Sequence, residues 1–139
     1  MATATGKGPG PAVMGASTLI GDKVVNMEGE DLGKIEELMI DTYNGRVNYA
    51  VLSFGGFLGM GDKLFAIPFP SLRLDTENKR FVLNVDKERL KNAPGFAKDD
   101  WPAMSQAWGE SINRYYDVPL YEQHRGIKGE KSEGDTYRH

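Results

Sequence analysis

Short apolar runs separated by turn-forming residues dominate the first half of the chain, and this spacing limits the folds open to it. The runs are Val24-Val25, 32–40 and 47–54, and the turn signals between them are Glu28-Gly29 and Asn44-Gly45. Runs this short and this regularly spaced are typical of strands joined by tight turns. The sequence therefore predicts a mainly β fold of small antiparallel strands.

The pair Asn44-Gly45 is the strongest turn signal. A type I′ hairpin turn needs positive φ at both central residues, and Asn-Gly tolerates this best. The pair is therefore predicted to join two neighbouring strands through a type I′ turn. In the second strand, from Val47 to Phe54, both alternating faces are largely apolar, which indicates a central position in the sheet.

Three further elements are predicted from the same kinds of signal. The run from Lys63 to Ile67 ends at Pro68, which closes a strand or marks an edge because proline cannot donate to a ladder. A hairpin is expected next, with strands at 73–75 and 80–85. Asp86 is then predicted to cap a short helix over 87–92 by accepting backbone hydrogen bonds.

A second helix is predicted to begin at Asp99 or Asp100 and to run for roughly four turns. Its apolar residues recur at steps of three and four and form one stripe, Trp101, Met104, Trp108, Ile112 and Tyr115. In the ordinary interpretation this stripe covers the β structure or a dimer mate. The alternative is that it fills a groove on a different protein.

These signals divide the chain into four parts. Residues 1–15 are predicted to form a flexible leader, because glycine, proline and small polar residues bury too little surface to offset their ordering entropy. Residues 16–92 form the predicted β domain, and 93–120 form a helical extension. Residues 121–139 are polar and charge-balanced, which predicts a disordered tail.

Composition excludes several classes of function. The formal net charge of −3 gives no positive field to collect nucleic acid. The chain has no cysteine, which excludes disulfides, thiolate nucleophiles and cysteine-based metal sites and fits a reducing compartment. No apolar run is long enough for a signal peptide or a membrane span, so the expected location is the cytoplasm, without direct membrane insertion.

Several segments resemble the PRC-barrel family, in particular its bacterial stand-alone members. They are Ala16-Ser17-Thr18-Leu19-Ile20-Gly21, Val24-Val25-Asn26, 29–35, 41–49, 51–56, 62–68 and 86–90. Pro94-Gly95-Phe96 and Trp101-Pro102 are similar to an extension found in a subset of those members.

The resemblance implies a small PRC-type β-barrel with a C-terminal helical extension. It also implies a binding role, because the barrel acts as an adaptor in the photosynthetic reaction-centre H subunit and in a ribosome-maturation factor. We expect the chain to lack the transmembrane helix of the former and the preceding RNA-processing domain of the latter. Neither function carries over directly, and the resemblance brings no catalytic motif.

No catalytic set can be assembled from the sequence. The two histidines, His124 and His139, lie in the predicted tail, where no packed scaffold would orient a base. The stretch 55–61 is glycine-rich, but Asp62 stands where a P-loop lysine belongs and would repel phosphate. The acidic residues of 28–41 match no EF-hand spacing and are interpreted as hydrated side chains. We therefore expect no catalytic residue, no cofactor and no metal.

The connection 55–61 also carries three large apolar residues, Phe57, Leu58 and Met60, which need cover. The helix stripe of the same chain, a second copy of the chain and a different protein all stay open as the cover. Together with the helix stripe, these residues form the candidate interface.

The leading prediction is a non-enzymatic adaptor that forms a homodimer and binds a further protein partner, without binding nucleic acid. The rival prediction is a regulatory module that binds a small molecule or an ion in the barrel mouth or on the acidic face.

Overall fold

The structure, a computed structural model, describes residues 12–55 and 62–118. Its elements in chain order are α1 (Ala16–Leu19), β1 (Lys23–Val25), β2 (Asp31–Ile40), β3 (Val47–Gly55), β4 (Asp62–Pro68), a 3-10 turn (Phe69–Ser71), β5 (Leu72–Asp75), β6 (Arg80–Leu83), α2 (Lys87–Lys91), β7 (Phe96–Ala97) and α3 (Gln106–Tyr115). The predicted leader up to residue 11 and the predicted tail from residue 121 fall outside the described residues. No helix in the described part is long and apolar enough to cross a bilayer.

The strands form one seven-stranded sheet in the order β5-β6-β1-β2-β3-β4-β7. The prediction of a mainly β fold is confirmed. The expectation of purely antiparallel pairing is wrong at one ladder, because β1 runs parallel to β6, with Lys23 opposite Arg80. No ladder in the described residues joins β5 to β4 or β7, so the sheet is open in its hydrogen bonding.

The β2–β3 hairpin lies where the sequence predicts it, but the predicted turn type is wrong. Gly45 has a φ of 79°, whereas Asn44 keeps a negative φ, which rules out a type I′ turn. Asp41 explains the difference, because its Oδ1 accepts hydrogen bonds from the backbone N–H of Tyr43 at 2.8 Å and of Asn44 at 3.4 Å. This aspartate cap widens the turn to the whole of 41–46.

Bulges in β2 set which of its residues reach the core. In the ladder with β1 the register shifts around Leu32, and in the ladder with β3 it shifts between Ile35 and Glu37. As a result, the buried residues Leu32, Ile35 and Leu38 recur every third position instead of every second.

The middle of the sheet matches the sequence prediction closely. Strand β3 lies between β2 and β4, and its residues from Tyr49 to Phe54 are buried on both faces. Pro68 ends β4, and β5 pairs with β6 as a hairpin. Asp86 caps α2 by accepting a hydrogen bond from the backbone N–H of Arg89 at 2.7 Å, as predicted.

The second predicted helix is shorter than expected. It begins at Gln106 and not at Asp99 or Asp100, because the Ser105 side chain caps it by accepting the backbone N–H of Trp108 at 3.2 Å. Pro102 disfavours helical backbone at Trp101, the residue before it. Trp101 and Met104 therefore precede the helix, and only Trp108, Ile112 and Tyr115 lie on it.

Candidate interaction surface

One end of the sheet brings β7 beside the first residues of β4. Strands β3 and β4 stay in register up to the pair Gly55 and Asp62. At the same end, β7 pairs with β4 through Leu64 opposite Phe96 and Lys63 opposite Ala97. The intervening residues Phe57, Leu58 and Met60 lie outside the described residues, so their predicted contacts stay predictions.

Trp101 is fixed in place next to β7. Its ring lies 5.1 Å from that of Phe96, and its indole N–H donates to the carbonyl of Lys98 at 2.8 Å. Trp101 nevertheless keeps 38% of its surface exposed. A large apolar side chain that is immobilised and still exposed is ready to contact another surface at little cost in side-chain entropy.

The helical part of the candidate interface packs on its own chain. Ile112 is 1% exposed and belongs to the core. The ring of Trp108 meets that of Tyr49 edge-on at 5.3 Å, and Met104 and Tyr115 are half-buried against the same core. The ordinary interpretation, a helix that covers the β structure, describes this arrangement.

Gly109 lets α3 approach the sheet closely. A Cβ atom at this position would collide with the hydroxyl oxygen of Tyr49. A larger residue fits at this position only if the Tyr49 side chain or α3 shifts.

Helix α3 is also tied to α2 through Arg89. The guanidinium Nη2 of Arg89 donates to the backbone carbonyl of Tyr115, and the Tyr115 hydroxyl donates to the backbone carbonyl of Arg89 at 2.6 Å. The guanidinium also lies 4.9 Å from the Tyr115 ring centre and 3.7 Å from the carboxylate of Asp117.

Two tyrosines near this helix have raised pKa values. Burial raises the pKa of Tyr49, and the nearby charge of Asp41 adds to the effect. Burial also raises the pKa of Tyr116, with a further contribution from Tyr115. Both phenols are therefore neutral at neutral pH, and neither has the depressed pKa of an activated nucleophile.

Two of the acidic residues between 28 and 41, Glu30 and Glu36, have partners that account for them structurally. Asn26 is almost fully buried; its Oδ1 accepts the backbone N–H groups of Glu28 and Glu30, and its Nδ2 donates to the Glu30 carboxylate at 2.7 Å. Glu36 lies 3.7 Å from the ammonium of Lys98. Within residues 12–55 and 62–118, no group of three or more acidic or histidine side chains could hold a metal ion. His124 and His139 lie outside these ranges.

A cleft of about 450 Å³ opens at another part of the surface. Its walls come from 70–71 after β4, from 83–85 at the end of β6 and from 116–118 at the end of α3. Sequence analysis missed this cleft, because its walls come from segments that are far apart in the chain and no local pattern connects them.

Comparison with known proteins finds one family. The model of the PRC-barrel domain matches residues 11–90, more than half of the chain. Among solved structures, a Pseudomonas aeruginosa protein described as a 16S ribosomal RNA processing protein, RimM, is similar over 54% of this chain and 45% of its own, with 18% identity and a TM-score of 0.38. The chain thus spans less than half of that protein. No curated protein matches the chain.

Proposed function

Because the chain belongs to the PRC-barrel domain family, we propose that it is a non-enzymatic adaptor that forms a homodimer and binds a further protein partner. The proposed contact surface combines β7 and Trp101 with the apolar residues Phe57, Leu58 and Met60, which the sequence places between β3 and β4. We name it the hairpin-end surface. The family membership supports a binding module, and the assembly and the partner are our proposal.

The observation that carries this proposal is the fixed, exposed ring of Trp101. Tryptophan is among the residues that contribute most to binding energy at protein interfaces. Its hydrogen bond to Lys98 and its packing on Phe96 hold the ring before any partner arrives. The sequence adds three large apolar residues, Phe57, Leu58 and Met60, between β3 and β4. Aromatic and aliphatic residues together suit an apolar contact.

The burial of the candidate residues on α3 also favours the hairpin-end surface as the contact surface. Ile112 lies in the chain's own core, so a partner could reach it only by displacing α3, and Trp108 is already half-buried against that core. The hairpin-end surface requires no such displacement. A symmetric contact between two copies would bury each of its apolar residues at a single interface.

The amino-acid composition is the basis for the cellular location and the kind of partner that we propose. A chain without cysteine suits a reducing compartment, and we place the adaptor in the cytoplasm. Its net charge of −3 favours a protein partner over nucleic acid. The rival role, a module that binds a small molecule or an ion, stays a prediction.

The test is the oligomeric state of the purified full chain and of charged variants. Sedimentation or light scattering should report a dimer for the unchanged chain. The double variant Phe57→Asp/Leu58→Asp and the single variant Trp101→Asp should each yield monomers, because a charge buried in an apolar contact costs several kcal/mol. Circular dichroism should show that both variants keep their β structure.

A matched control is available at Ile40. This residue is 52% exposed and lies at the β2–β3 hairpin, at the opposite end of β3. Ile40→Asp should therefore leave the dimer intact. A monomeric unchanged chain at high micromolar concentration, or equal dissociation by Ile40→Asp, would refute the proposed surface.

A further inference from the structure

The end of α3 breaks a local rule of helix termination at Asp117. The backbone N–H of Val118 donates to the carbonyl of Asn113, and that of Asp117 donates to the carbonyl of Arg114. These two bonds define a Schellman motif, in which the residue at the position of Asp117 is usually glycine. Asp117 has a φ of 61°, a left-handed conformation that costs a residue with a Cβ atom energy.

The charge of Asp117 is as poorly suited to this position as its backbone. The C-terminal end of a helix carries partial negative charge, so a carboxylate there is repelled and a cation is favoured. The guanidinium of Arg89 is 3.7 Å from the carboxylate, but the Asp117 side chain remains 82% exposed. An ion pair this exposed offsets little of the repulsion between the carboxylate and the helix end. Glycine or asparagine would end the helix without the charge.

Asp117 lies in the wall of the cleft formed by 70–71, 83–85 and 116–118, which we call the helix-end cleft. The neighbouring wall residue, Tyr116, carries a second local cost, because its buried hydroxyl has no protein hydrogen-bond partner. Residues that violate local rules in natural proteins concentrate at functional sites. Two such residues side by side in a cleft of ligand size therefore indicate a binding site.

The wall chemistry defines the class of ligand. Leu83, Val85 and Val118 provide apolar surface, and Asp117 is the one charged residue in the described wall. A half-apolar cleft with this carboxylate-bearing residue in its wall is complementary to a cation with an apolar body. We propose that the helix-end cleft binds an alkylammonium group, with the Asp117 carboxylate as its charged partner. This site is separate from the hairpin-end surface and does not depend on it.

An alkylammonium group has two sources, a free amine and the lysine side chain of a protein. The test uses n-butylammonium chloride as the free amine and Nα-acetyl-lysine N-methylamide as the protein mimic. Binding is followed by amide NMR of the full-length chain, through the resonances of 83–85 and 116–118. Preferential binding of n-butylammonium identifies a free amine as the ligand, and preferential binding of the lysine mimic identifies a protein side chain.

Two substitutions separate the effect of the Asp117 charge from the effect of its left-handed backbone. Asp117→Asn removes the charge and still tolerates left-handed backbone, and Asp117→Gly removes both the charge and the backbone strain. Both should weaken n-butylammonium binding by up to about fivefold, the loss expected for an ion pair at a largely exposed carboxylate. Asp117→Gly should also raise the melting temperature, so that lost binding cannot be ascribed to unfolding.

Lys79 supplies the matched control, because it is the other described residue besides glycine with a positive φ, at 55°. It lies in the β5–β6 turn, outside the cleft walls. Lys79→Gly should relieve strain and leave n-butylammonium binding unchanged. Any of three results would overturn the proposal: no shifts with either ammonium probe, equal binding to Asp117→Asn, or equally tight binding of uncharged butan-1-ol.

Discussion

Arg89 and Tyr115 hold helices α2 and α3 together by donating hydrogen bonds to each other's backbone carbonyls. Each side chain thus satisfies a carbonyl on the other helix, and the guanidinium also lies over the tyrosine ring. This exchange fixes the end of α3 against the β domain.

Loss of this exchange should loosen α3. Tyr115→Phe removes one hydrogen bond and should reduce the free energy of unfolding by about 1 kcal/mol, while Arg89→Ala should cost more because it also removes the ring contact. Chemical denaturation measures both values. Arg114→Ala, which removes an exposed cation from the same turn, should change stability by about 0.5 kcal/mol or less. Equal losses in all three variants would contradict a specific role for the pair.

Gly109→Ala should destabilise the protein, although alanine is the better helix former. The new Cβ would collide with the Tyr49 hydroxyl, and such overpacking costs about 1–3 kcal/mol. Tyr49→Phe removes the colliding oxygen, so the double variant Gly109→Ala/Tyr49→Phe should recover part of the loss. A double-mutant cycle by urea denaturation measures the coupling. Additive losses would show that α3 does not approach β3 as closely as described.

Loss of the side-chain amide N–H donor of the buried Asn26 should destabilise the protein. Asn26→Asp keeps an acceptor for the backbone N–H groups of Glu28 and Glu30, but it replaces the bond to the Glu30 carboxylate by two facing carboxylates. The expected cost is about 1–3 kcal/mol. Adding Glu30→Gln supplies a new donor and should restore most of the stability. Thermal unfolding of the single and double variants tests this, and failure of the rescue would contradict it.

Asp75 should contribute a pH-dependent part of the stability. The side-chain hydrogen bond from Asn78 is the main cause that lowers the pKa of this carboxyl below its ordinary value of 3.8, and Arg80 adds to it. A lowered pKa means that the folded state holds the proton less tightly than the unfolded state, so the stabilisation is present above the ordinary value and is lost as pH falls.

The stability difference between the unchanged chain and Asp75→Asn should therefore be largest near neutral pH and shrink below about pH 5. Asn78→Ala removes the hydrogen bond that lowers the Asp75 pKa most. The stability difference between the unchanged chain and this variant should therefore also shrink as pH falls. Melting temperatures across the acid range measure both variants. A difference that stays constant with pH would show that the Asp75 charge does not stabilise the turn.

Local sequence signals predicted the elements whose partners are close in the chain. Both hairpins, the central strand β3, the end of β4 at Pro68 and the cap of α2 at Asp86 were all predicted correctly. Each depends on alternation, a turn residue or a capping side chain within a few positions. The prediction was wrong where two local signals competed. The Asp41 cap prevailed over the type I′ turn expected from Asn44-Gly45. The Ser105 cap prevailed over a helix start at Asp99 or Asp100.

Features that depend on distant segments were beyond sequence patterns. The two-residue strand β7 exists only because Phe96 and Ala97 lie against β4. The helix stripe was identified correctly as apolar, but periodicity alone did not show that Trp101 stays exposed while Ile112 enters the core. The helix-end cleft requires three segments to meet, and no local pattern connects them.

The parallel ladder between β1 and β6 has a consequence for folding as the chain is synthesised. The hairpins β2–β3 and β3–β4 can form as soon as their strands leave the ribosome, because their contacts are local. Strand β1 emerges before them, yet one of its edges stays unpaired until β6 has been made. Val24 pairs with Phe81 and Val25 with Val82 across that edge. Closing so long a loop carries a large entropic cost before any contact repays it. Strand β1, the first in the described part of the chain, is therefore among the last to be fully paired.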